Sequence, residues 1–184
     1  MTTIHLIIFI AAALIIWVAA IYNGLIKRKN QSQEAWSDID VQLKRRYDLI
    51  PNLLEVVKGY MKHEAQTFQK ITEARNLAMR TQDIKGKAQA EDKLTQSLVS
   101  LFARVENYPD LKASQNFLAL QDELSDTENK IQAARRFYNA NARDYNIKLQ
   151  IFPNNLLAGI FKFEKKDFFE IQNPKERKNV KLNF

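Results

Sequence analysis

From Ile4 to Ile26 the chain is one uncharged apolar run, and Lys27-Arg28-Lys29 follows it at once. A helix rises about 1.5 Å per residue, so the run reaches roughly 35 Å, enough to cross a hydrocarbon core of about 30 Å. The spacing therefore predicts a protein tethered to a membrane by a transmembrane anchor over residues 1–26. No Lys or Arg precedes the run, and Lys44, Arg45 and Arg46 add to its positive C-terminal flank. The positive flank stays on the cytoplasmic side, which places the N-terminus outside and the remaining bulk in the cytoplasm. A cleaved signal peptide with Val18-Ala19-Ala20 as its cleavage site is the competing reading. It wants a basic n-region and a shorter apolar core than this one.

The formal net charge is +7 over 184 residues, with no charged side chain before Lys27. Much of the excess lies at Lys27, Arg28, Lys29 and in Lys175-Glu176-Arg177-Lys178. Basic residues near a cytoplasmic leaflet gain about 1 kcal/mol each from anionic lipid. Nucleic-acid binding would want them clustered with interleaved aromatics, so membrane lipid is the expected partner and nucleic acid is not. Absence of cysteine excludes disulfides and thiolate metal sites.

Beyond the run the pattern is helical. Apolar side chains recur at Trp36, Ile39, Leu43, Tyr47, Ile50, Leu54, Val57, Met61, Phe68 and Ile71. Most steps are three or four, one stripe of a helix. Pro51 falls inside the series without breaking its phase, which predicts one long bent helix from about Gln33 to about Arg80. Two helices with Pro51 in the first turn of the second is the alternative. Polar residues 81–88 with Gly86 suit a turn. Leu94, Leu98, Leu101, Val105 and Tyr108 form a second stripe, ended by Pro109. A third helix is expected from about Leu111 to Gln150, ended by Pro153. The fold class is all-α: an N-terminal single transmembrane helix followed by an antiparallel up-and-down bundle of long helices over 27–150. A Phe-rich segment over 151–172 holds Phe161, Phe163, Phe168 and Phe169 beside Lys162, Lys165 and Lys166. It either dips rings into the membrane surface or packs them on the bundle end; general burial favours packing. A basic, disordered tail over 173–184 completes the chain.

Catalytic motifs are missing. His5 and His63 are the only histidines, and no second His follows His63-Glu64 at zinc-protease spacing. Neither a phosphate loop nor a Gly-x-Ser-x-Gly elbow occurs. Asp38, Asp40 and Glu55 fit solvated helix faces. Glu128 and Arg135 share a face of the third helix, and Arg75 could approach them; a buried ion pair fixing helix register explains them better than a ligand pocket. No catalytic residue, metal or cofactor is expected.

Arg45-Arg46-Tyr47-Asp48-Leu49-Ile50-Pro51-Asn52-Leu53-Leu54 and Tyr108-Pro109-Asp110-Leu111-Lys112-Ala113 resemble hallmark segments of the LemA family. Thr127-Glu128, Ala134-Arg135, Tyr138-Asn139, Tyr145-Asn146 and Phe168-Phe169-Glu170 are similar to its later motifs, and Tyr22-Asn23 fits the end of its span. The resemblance implies a bacterial cytoplasmic-membrane protein with one span and an antiparallel helical bundle. It carries no established catalytic residue. Of the matched positions, Arg45, Arg46, Asp48, Pro51, Tyr108, Pro109, Asp110, Glu128, Arg135, Tyr138, Asn139, Tyr145 and Asn146 are expected to be structural. Three functions stand open: a self-assembling scaffold that organises or shapes the bilayer, an adaptor docking a protein such as a membrane protease or envelope complex, and, least supported, an enzyme. Leu49, Leu53 and Val56 widen the apolar face of the first long helix, which leaves surface for a neighbouring copy and predicts a homo-oligomer.

Overall fold

A computed structural model describes residues 2–170, among which every regular element is helical. The order is α1 (Thr2–Tyr60), α2 (Ala65–Arg80), α3 (Ile84–Val105), α4 (Pro109–Lys112), α5 (Gln115–Gln150) and α6 (Asn154–Ile160). The basic tail over 173–184 lies outside the described residues.

The apolar run continues into the amphipathic stripe without interruption, so span and first long helix are one element. Pro51 sits inside it, as the unbroken phase requires. Proline has no N–H to offer the carbonyl four residues back. That carbonyl belongs to Tyr47, and Arg75 Nε on α2 donates to it at 2.7 Å. The helix thus passes through Pro51 because another helix satisfies the acceptor that Pro51 frees.

Three helix boundaries differ from the expected ones. The first long helix stops at Tyr60 and not near Arg80, and Met61–Glu64 makes a turn. Met61 is fully buried beside Val57, and Phe68 resumes the stripe on α2, so both sides of the turn feed one core. Periodicity alone does not separate that arrangement from a continuous helix. Gly86 lies in the first turn of α3 and not in the preceding connection: Asp83 caps α3 by accepting from Gly86 N at 2.6 Å. A Cβ there would stand 2.7 Å from the Asp83 carboxylate oxygens, so glycine lets the cap close. The third long helix begins at Gln115, because Pro109 starts the separate turn α4, whose Leu111 is fully buried.

The chain forms two compact units. One takes α1 as far as Val41 with Gln132–Phe168; the other takes Gln42–Ile131 with Phe169 and Glu170. In the first, Leu25, Tyr145, Leu149 and Ala158 are buried together, with Ile21 and Phe163 packed against them. Further along α1, Trp36 meets Tyr138 edge-on at 5.2 Å. Contacts that ascend α1 therefore descend α5, an antiparallel pair. In the second unit Ile50, Leu53, Val57, Ile71, Leu94, Leu101 and Phe117 are buried. Helices α2 and α3 fold back on each other, their open ends joined by Arg104 to Glu64 at 2.9 Å.

Leu53 is fully buried, with Leu49 and Val56 half-buried. At Leu53 the extra apolar width of α1 faces the protein's own core, while Leu49 and Val56 keep part of their surface uncovered.

Candidate functional site

The apolar run of α1 keeps its side chains uncovered, with Ile4, Phe9 and Ile16 among the most exposed. Leaving such area in water costs about 25 cal/mol per Å², so lipid is its proper solvent. Cover begins at its C-terminal end, where Leu25 is buried and Ile26 half-buried. Lys27, Arg28 and Lys29 are exposed; Arg28 reaches Gln31 at 3.4 Å, and Lys29 Nζ lies 6.0 Å from the Phe163 ring centre.

In the second unit α1, α3 and α5 bury a charged cluster. Arg46 is 3% exposed. Its Nη1 donates to Glu128 Oε2 at 2.9 Å and stands 3.7 Å from Glu91 Oε2; its Nη2 donates to Thr95 Oγ1 at 2.6 Å. The Tyr47 hydroxyl donates to Glu91 Oε1. Among the described residues Glu91 Oε2 accepts no hydrogen bond. Burial pushes the Glu91 carboxyl above its ordinary value of 4.5, against the lowering effects of Tyr47, Arg46 and Lys87. The folded state therefore binds this proton more tightly than the unfolded chain. Its contribution to stability is complete below about pH 4.5 and is lost as pH rises through the folded value. Glu91→Gln should gain thermal stability over the wild type at neutral pH, and the gap should close as pH falls toward 4.5. Melting curves across that range check the sign; a gap that widens on acidification refutes it.

In the first unit α5 fastens the segment that follows α6. Asn146, itself buried, accepts from Lys166 N and donates to Lys166 O, both at 2.8 Å, so its amide holds both backbone groups of one residue. The Tyr138 hydroxyl donates to Asp167 O at 2.7 Å, and burial, aided by the Asp167 carboxylate, raises it to about 12. Tyr145 is buried in the core, while Asn139 and Arg135 are half-buried. Tyr138 and Asn146, one from each Tyr-Asn pair, thus latch the C-terminal segment. Of its phenylalanines, Phe169 is buried and Phe163 half-buried, whereas Phe161 and Phe168 are exposed.

Among the remaining matched residues, Arg45 reaches Asp126 at 3.5 Å on the surface, Asp48 pairs with Lys44 at 2.9 Å, and Tyr108 precedes Pro109 and the exposed Asp110 at the start of α4. Arg75 donates to the Tyr47 carbonyl, and Glu128 accepts from Arg46, which forms the centre of the buried cluster. Glu91 and Thr95 were not expected in it. Glu91 lies three residues before Leu94 on the buried stripe of α3, and a carboxylate at a stripe position is the signal that marks it. No group of metal-ligating side chains occurs among the described residues.

Fold and site together define an all-helical protein whose first helix carries an N-terminal run long and apolar enough to cross a membrane. The sequence pattern of the LemA family matches residues 35–184, and the chain belongs to that family. It is 32% identical over 137 residues to protein LemA of Metamycoplasma hominis, covering 74% of this chain and 63% of that one. It is 25% identical over 175 residues to magnetosome protein MamQ 2 of Paramagnetospirillum magneticum, covering 81% of this chain and 64% of that one. Magnetosome protein MamQ of Magnetospirillum gryphiswaldense is 24% identical over 174 residues, with 80% and 64% covered. The chain thus spans a little under two thirds of the length of these relatives.

Proposed function

We propose that the protein is a non-enzymatic scaffold that self-assembles at the bacterial cytoplasmic membrane and organises it, with the N-terminus outside and the bundle in the cytoplasm. One observation carries the reading: the uncovered run of α1 enters the first folded unit with no linker, so the unit is held directly at the bilayer. Lipid and further copies of the chain are the partners this favours, and no cofactor or nucleic acid has a part in it. Self-association is assigned to the second unit, where Leu98, Val99, Phe102 and Leu124 line an open groove of about 250 Å³ between α3 and α5. Val99 is exposed there, and a neighbour's apolar side chain would cover it. The same groove supports the second reading, an adaptor that docks one membrane protein.

The chain has no cysteine, so Val99→Cys supplies a single thiol. A bismaleimide added to membranes should yield covalent dimers, and an impermeant maleimide should leave intact cells unlabelled. Only monomers at every expression level would remove self-assembly in favour of the adaptor. Labelling of intact cells would reverse the orientation.

A further inference from the structure

We propose that α6 and its flanking turns form a second membrane contact, an apolar cap embedded in the leaflet that α1 leaves at Ile26. The proposal rests on reading α1 as a span.

The cap carries more uncovered apolar surface than a short surface helix needs. Phe152 is 78% exposed, Ile160 70%, Leu156 57%, Ile151 51% and Phe161 48%. They cluster within eleven consecutive positions at the end of α5 and through α6. Contiguous apolar surface of this kind marks an interaction site.

The occupant follows from where the cap is held. Ala158 is buried with Leu25 of α1, and Phe161 and Phe163 lie 4.8 Å and 5.8 Å from Tyr22 between ring centres. Tyr22 and Leu25 belong to the last turns of the apolar run. The cap is thus level with the place where hydrocarbon gives way to headgroups. Its uncovered face continues the lipid-facing surface of the span.

The end of α6 fixes which rings face out. Phe163 N donates to Ala158 O at 2.9 Å and Lys162 N to Gly159 O at 3.2 Å, the paired bonds of a Schellman cap. Lys162 takes the left-handed position with φ 54°. That turn brings Phe163 back onto the core, leaves Ile160 outward and keeps Phe161 half exposed against Tyr22. Lys27, Arg28, Lys29 and Lys162 are exposed on the same unit, and the Lys148 ammonium crosses α1 at Gly24, 2.7 Å from where a Cβ would stand. Apolar rings with a surrounding of lysines are what an anionic interface takes up.

Single cysteines at exposed positions test this in the full chain, nitroxide-labelled and reconstituted in vesicles of phosphatidylethanolamine and phosphatidylglycerol. Phe152→Cys and Ile160→Cys probe the cap. Ile10→Cys, within the run, reports lipid. Val41→Cys, exposed and about 22 Å along α1 beyond Ile26, reports water. Circular dichroism verifies folding, and Leu156→Cys replaces any cap variant that fails. Cap labels should be accessible to oxygen and shielded from an aqueous nickel chelate, as at Ile10→Cys. Chelate access equal to that at Val41→Cys overturns the proposal, as does shielding from both reagents, which assigns the patch to a protein partner. If Ile10→Cys itself is open to the chelate, the span reading fails, and the cap proposal with it.

Discussion

Arg46→Met is expected to destabilise the second unit by about 3–5 kcal/mol, the usual consequence of removing one partner from a buried charge cluster. The guanidinium is almost fully enclosed and serves two acceptors at once, Glu128 and Thr95, while facing Glu91. Without it, Glu91 remains at 6% exposure with the Tyr47 hydroxyl and the Lys87 charge for compensation. Arg46→Lys should recover part of the loss at most, since one ammonium does not reproduce the planar fork that reaches both acceptors. Arg46→Met combined with Glu91→Gln should be milder than Arg46→Met alone, because the orphaned charge leaves with its partner. Urea unfolding of the purified protein, followed by circular dichroism, measures all three. A loss below about 1 kcal/mol for Arg46→Met would show that the cluster does not hold these helices together.

Arg75→Met is expected to cost about 1–3 kcal/mol by removing the Nε–H that donates to the Tyr47 carbonyl. Pro51→Ala provides the internal control. Alanine restores the N–H that the carbonyl lacks and removes a residue that disfavours a helix interior by about 3 kcal/mol, offset by about 0.4–1 kcal/mol of extra freedom in the unfolded chain. Pro51 is exposed, so little packing is lost. Pro51→Ala should therefore stabilise the protein, and by more in the Arg75→Met background than in the wild type. In the wild type Arg75 already serves the carbonyl at 2.7 Å. The excess is the coupling between two residues 24 positions apart in sequence, Pro51 and Arg75. Effects that add within about 0.3–0.5 kcal/mol would mean that the two act independently and that the Arg75 bond contributes nothing specific.

The apolar run long enough to cross a membrane, the persistence of the helix through Pro51, and the breaks at Pro109 and Pro153 were legible in the amino-acid sequence. Each follows from local chemistry: an apolar run in water has no partner within itself, a stripe that keeps phase has a single face, and proline lacks a donor. What the stripes meet was not legible. The end of α1 at Tyr60 depended on Met61 and Phe68 sharing a core across a turn, which periodicity reproduces as if the helix continued. Leu53 had the look of spare surface until α1 was packed, and then it proved to be interior. Arg46, Glu91, Thr95 and Glu128 are distant in sequence, and only the approach of three helices decides that their charges share one buried space. The same holds for Phe152 and Ile160. Their apolarity is a property of the chain, but their exposure beside the end of the span is decided by the contacts of Ala158 and Phe163 with α1. Local backbone preferences act over a few residues and are written in the sequence at those residues. Burial and charge pairing are long-range, because they depend on which surfaces the folded chain brings together.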